Sequence, residues 1–81
     1  MQKTNNPTPP LADVFVANLR QFIHASGKTQ KAIAEQSGVS ENAITKLLRG
    51  TTQVKFETVD RLAAVLEIDR IEFYRVETKA K

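Results

Sequence analysis

The chain has 81 residues, with twelve lysines and arginines, nine aspartates and glutamates, one histidine and no cysteine, and a formal charge of +3. That length fits one domain with one modest core and excludes a two-domain enzyme, while an apolar share of 41% suits a packed core and not a disordered tail. Without cysteine there is no disulfide framework, thiolate zinc site or cysteine nucleophile, and His24 alone cannot form a metal cluster. The longest apolar runs, such as 14–17 and 63–66, are too short to cross a membrane, and the start of the chain lacks the apolar core of a signal peptide.

Residues 1–10 hold Pro7, Pro9 and Pro10 among polar side chains, a density that blocks a helix and predicts a disordered N-terminal arm. Leu11, Phe15, Leu19, Phe22 and Ile23 then form one stripe of an amphipathic first helix, which ends near Ser26 and Gly27. Thr29 is a candidate N-cap for a short second helix that carries Ile33 and Ala34 inward and stops at Gly38. Ser40 is the candidate N-cap of a third, running to Arg49 with Gly50 as its stop. After a loop over residues 51–55, Phe56, Val59, Leu62, Ala63 and Leu66 make a fourth stripe. Asp69 and Glu72 have capping-box spacing, which predicts a short fifth helix burying Ile71 and one or both of Phe73 and Tyr74. The last residues, 77–81, are expected to fray, leaving an all-α domain over 11–76 with no strand pattern.

Charge is unevenly spread along this plan. Residues 28–55 carry Lys28, Lys31, Lys46, Arg49 and Lys55 against Glu35 and Glu41, a local +3. Residues 56–77 carry Arg61, Arg70 and Arg75 against Glu57, Asp60, Glu67, Asp69, Glu72 and Glu77, a local −3. A basic middle and an acidic later part suit two different partners, or two ordinary solvated faces.

The segment from Gln30 to Arg49 carries most of the information. A Gly-containing turn, Ser37-Gly38-Val39-Ser40, lets two short helices meet steeply. Ala34 is small at the crossing, and Val39, Ile44 and Leu47 fill the angle. On the third helix Ala43, Ile44, Leu47 and Leu48 face inward, while Asn42, Thr45, Lys46 and Arg49 fall on one outer stripe, with Glu41 beside it. These side chains match the donor and acceptor edges of bases in a major groove: Asn for adenine, Lys for guanine, Glu for cytosine. Any surface helix also turns polar groups outward, so the stripe alone names no ligand.

Gln30, Ala34, Gly38, Val39, Ile44 and Leu47 resemble the helix-turn-helix pattern of the Cro/repressor (XRE-like) family. The join from Leu19-Arg20 to Gly27-Lys28-Thr29-Gln30, and the later Thr58, Leu62-Ala63, Leu66, Ile68 and Phe73, are similar to the rest of that family's domain, so the likeness spans roughly residues 14 to 74. The resemblance implies a five-helix, lambda-repressor-like fold with helices two and three as the reading unit. It implies base contacts from Glu41, Asn42, Thr45 and Lys46, and phosphate contacts from Gln30, Ser40, Thr51 and Lys55; the nearby cations Lys28, Lys31 and Arg49 are expected to join the phosphate set, with plain solvation the alternative for Lys31. Gln30 opens the second helix, where free N–H groups and the helix dipole favour phosphate.

Two positions depart from the family pattern. The family often pairs an arginine late in its first helix with an acid late in its third; Ile23 and Leu48 stand there instead, so that salt bridge is read as absent and the fold as intact. Glu67 stands where a glycine commonly ends the fourth helix. Elsewhere, His24 reads as a surface residue, Phe73 and Tyr74 as core or dimer contacts, and Lys3 as a cation whose arm could follow DNA.

The sequence thus reads as a DNA-binding transcriptional regulator, expected to be a repressor that binds a two-fold operator as a homodimer, with the C-terminal helix as the dimer surface. It is expected in the cytoplasm of a bacterium or under phage control, associated with the nucleoid. No cofactor is expected, and an enzyme is not, for want of a nucleophile–base pair, metal set or phosphate-cradling loop. The alternative is an antitoxin-type module that neutralises a partner protein, through its acidic 56–77 segment, and binds DNA secondarily.

Overall fold

A computed structural model of the chain describes residues 9–76. They form four α-helices, α1 (Leu11–Ser26), α2 (Gln30–Ser37), α3 (Glu41–Arg49) and α4 (Phe56–Leu66), followed by a 3₁₀ helix (Arg70–Tyr74). Among the described residues there is no strand, as the periodicity predicts. The arm expected over residues 1–10, apart from Pro9 and Pro10, and the fraying tail expected over 77–81 lie outside the described residues.

The local signals set the helix limits. Thr29 Oγ1 accepts from the Ala32 N–H at 3.0 Å and Ser40 Oγ from the Ala43 N–H at 3.0 Å, so α2 and α3 begin where their N-caps predict. Gly38 takes a left-handed φ of 80°, and its N–H bonds back to the Ala34 carbonyl at 2.9 Å. The space beside it is filled: a β-carbon at 38 would lie 2.9 Å from Arg61 Nη1. Arg61 reaches there from α4, donating to the Ser37 carbonyl at 3.5 Å and to Glu57 Oε2 at 2.8 Å. Ser37 is buried and satisfied, accepting from the Val39 N–H at 3.0 Å.

The core gathers one face of every helix. Leu19, Ile33, Ile44, Leu62 and Phe73 are fully buried, with Phe15, Val39, Leu47, Val59, Ala63 and Leu66 around them. Phe73 stacks at an angle on Phe15 (centroids 5.1 Å apart) and edge-on to Phe22 (5.9 Å), which ties the last helix to α1. Asn18 Nδ2 adds a polar tie, lying 2.7 Å from the Phe73 carbonyl, 3.0 Å from that of Arg75 and 3.3 Å from that of Glu72.

Three expected core residues are outside. Leu11 is 61% exposed and Phe56 87%. Each is the first residue of its helix, and helical side chains lean toward the N-terminus, so these two overhang the packed body. Ile71 is 60% exposed because Phe73, two positions on in the 3₁₀ helix, takes the core-facing side. Positions two apart share a face in neither an α nor a 3₁₀ helix, so Ile71 and Phe73 cannot both be buried here. Asp69 does cap it, accepting from the Ile71 N–H at 3.1 Å, but the Glu72 carboxylate turns forward to Arg75 at 3.2 Å, so the capping box is only half formed. Glu67 ends α4 with φ 60°; the N–H of Ile68 bonds to the Ala63 carbonyl and that of Glu67 to Ala64, a Schellman ending built on a non-glycine residue.

Candidate nucleic-acid interface

The packing of α3 divides its residues cleanly. Ile44 and Leu47 are buried and Ala43 and Leu48 half-buried, which leaves Glu41, Asn42, Lys46 and Arg49 exposed. Thr45 differs from its neighbours on the stripe. It is half-buried, and Gln30 Nε2 donates to its Oγ1 at 2.7 Å, so the first residue of α2 and the middle of α3 are hydrogen-bonded across the helix-turn-helix.

Asn42, Lys46 and Ser40 face the loop that follows α3 across a shallow cleft, whose other wall is Thr52, Gln53, Val54, Lys55 and Thr58. The loop is anchored at its start. Gly50 has φ 71°, the Thr51 N–H and Oγ1 both donate to the Lys46 carbonyl, at 3.1 and 3.2 Å, and the Gly50 N–H donates to Leu47. At its far end Lys55 occupies the N-cap of α4. Lysine has no acceptor atom, so the first N–H groups of α4 have no side-chain cap.

The structure thus brings Ser40, Asn42, Lys46 and Lys55 around one cleft and joins Gln30 to Thr45. It sets Lys28 and Lys31 elsewhere. Lys28 is half-buried, with its Nζ 2.9 Å from Gln36 Oε1, and Lys31 is exposed on the outer face of α2. Thr58 lines the cleft and was missed by sequence reasoning; its place three residues after Lys55, on the same side of the first turn of α4, was the available signal.

Electrostatics separates the two charged segments further. Among the described residues the ion pairs are Arg61–Glu57 at 2.8 Å, Arg70–Asp60 at 2.7 Å and Arg75–Glu72 at 3.2 Å. All three arginines of the acidic segment are therefore partnered within it. The hydrogen bond and charge of Asp60 hold the Arg70 guanidinium above its ordinary pKa. Lys28, Lys31, Lys46, Arg49 and Lys55 take part in none of these pairs. No described carboxylate oxygen lies within 4.0 Å of their charged nitrogens, which leaves them open to an anionic ligand. Among the described residues no group of His, Asp and Glu is placed to hold a metal ion, and no helix is long and apolar enough to cross a membrane.

A family model described as a helix-turn-helix domain matches residues 14–75. Among solved structures, the chain is similar to the solution structure of the SOS-response transcriptional repressor LexA from Eubacterium rectale. The two share 25% sequence identity and a TM-score of 0.71, over 88% of this chain and 81% of that one. No curated protein matches.

Proposed function

The chain belongs to the helix-turn-helix family of DNA-binding domains, and on that footing we propose that it binds a specific duplex sequence and represses transcription by occupying it. The observation that carries this reading is the partition of charge. The cations of α2, α3 and the following loop are free of carboxylates, whereas the arginines of the later segment are paired. Lys28, Lys31, Arg49 and Lys55, with Gln30, Ser40 and Thr51, hold phosphates and supply affinity common to all sequences. Glu41, Asn42, Thr45 and Lys46 enter the major groove and discriminate between bases. The repressor role draws support from the solved relative, which is described as a transcriptional repressor.

A single module of this size buries only about 600–1,000 Å² on DNA, so two copies act on a two-fold site with half-site centres about 34 Å apart. Leu11 and Phe56 line one groove and are exposed, and Ile71 is exposed on the 3₁₀ helix, which gives apolar surface suited to a second copy. Selection from a random duplex pool tests the whole reading. The expected result is one enriched half-site, repeated with two-fold symmetry. A pool that emerges unenriched overturns it.

A further inference from the structure

The Gln30–Thr45 hydrogen bond has a direction, and the direction limits which bases Thr45 can read. A threonine hydroxyl has one hydrogen to donate and two lone pairs. One lone pair of Thr45 is taken by Gln30 Nε2 at 2.7 Å. The hydroxyl hydrogen makes no hydrogen bond among the described residues. In this it differs from the hydroxyls of Ser26, Ser37 and Thr51, which donate to the carbonyls of Ile23, Ala34 and Lys46.

We propose that Gln30 fixes Thr45 as a hydrogen-bond donor to a base acceptor, a purine N7, guanine O6 or thymine O4, and selects against a partner that offers only an amine. The proposal deepens the DNA-binding reading and rests on it. The physical reason is a count of partners. If a base amine donated to the remaining lone pair, the Thr45 hydrogen would be closed into the interface with no acceptor, and an unmade buried hydrogen bond costs more than a made one gains. Accepting from Gln30 also polarises the hydroxyl and strengthens it as a donor. Gln30 keeps its second Nε2 hydrogen for a phosphate oxygen, so donors run in one sense: from Gln30 to phosphate, from Gln30 to Thr45, and from Thr45 to base.

Selection from a random duplex pool, run on the wild type and three variants, tests this. Thr45→Val, nearly isosteric and without the hydroxyl, should lose about fivefold in preference at one position, the size of one neutral hydrogen bond, and keep the others. Thr45→Ser should keep the preference. Gln30→Glu presents a carboxylate that only accepts, so the Thr45 hydrogen turns inward, and preference at that position should move to adenine N6 or cytosine N4. In the free chain, NMR should show one Gln30 carboxamide proton shifted downfield and slow to exchange, and Thr45→Val should abolish the shift. This decides the direction of the bond even if Gln30→Glu selects nothing. A Gln30 carboxamide whose two protons both keep the shifts and exchange rates of a free glutamine side chain overturns the proposal, as does a Gln30→Glu pool enriched in the wild-type base. A wild-type selection unchanged by Thr45→Val removes this assignment alone, whereas a wild-type chain that selects no sequence removes the DNA-binding reading and this assignment with it.

Discussion

Arg20 Nη2 donates to the main-chain carbonyl of Leu48 at 2.8 Å. Leu48 lies in the last turn of α3, where carbonyls lack partners within the helix and the dipole favours a cation. The Cro/repressor pattern would place an arginine–acid pair between these two helices, at positions held here by Ile23 and Leu48. An arginine one turn earlier makes the connection instead, through the backbone, and ties the C-terminal end of the candidate reading helix to α1.

Arg20→Ala should therefore destabilise the chain by about 1 kcal/mol, the scale of one hydrogen bond to a charged donor reduced by exposure to water. Urea denaturation measures it, and Arg20→Lys should recover part of the loss. An unchanged midpoint in Arg20→Ala would show that the contact contributes nothing to stability.

Base and phosphate contacts should separate under mutation. Asn42→Ala or Lys46→Ala should cost on the order of 1–3 kcal/mol on the preferred site and relax it at one base pair. Lys55→Ala should weaken all sequences alike and reduce the salt slope by about one. Titrations at several salt concentrations read both, and full retention of affinity and preference by Asn42→Ala and Lys46→Ala would displace α3 as the reading helix.

Glu67 holds a φ of 60° that L-residues adopt at a cost and glycine does not. Glu67→Gly should raise stability by about 0.5–1 kcal/mol, the backbone gain at 67 exceeding the extra freedom of glycine in the unfolded chain. Thermal melting reads this directly, and a lowered midpoint would mean that the Glu67 side chain contributes more than its backbone strain removes.

Burial pushes the Tyr74 phenol above its ordinary 10.0. A raised pKa in the folded state means the neutral phenol is favoured there, so its contribution is whole below pH 10 and is lost as pH climbs through the raised value. The stability difference between wild type and Tyr74→Phe should stay flat at neutral pH and shift against the wild type in strong alkali. A difference independent of pH would place the phenol in water.

The limits of the helices were legible because their causes are local. Thr29, Ser40, Gly38 and Gly50 act on backbone groups within a few residues of themselves. The ties between helices were not, since Gln30–Thr45, Arg20–Leu48 and Asn18–Phe73 join positions 15, 28 and 55 apart and exist only once the core has formed. Periodicity places Leu11 and Phe56 on the core face because it reports a helix face but not where the helix overhangs its neighbours. Asn42, Lys46 and Arg49 are exposed as the outer stripe of α3 predicts, while Thr45 is half-buried and hydrogen-bonded to a side chain from another helix. Counting charges located an acidic segment but could not show that its arginines were already paired.

The Arg61 guanidinium occupies the space that a β-carbon at position 38 would need. A side chain at 38 meets two separate obstacles: a left-handed backbone, which asparagine tolerates better than alanine, and a guanidinium that must swing away. Only the second is relieved by a shorter residue at 61. The guanidinium is the far end of a flexible, half-exposed side chain and can move aside, so the left-handed backbone holds glycine at 38 whatever residue stands at 61.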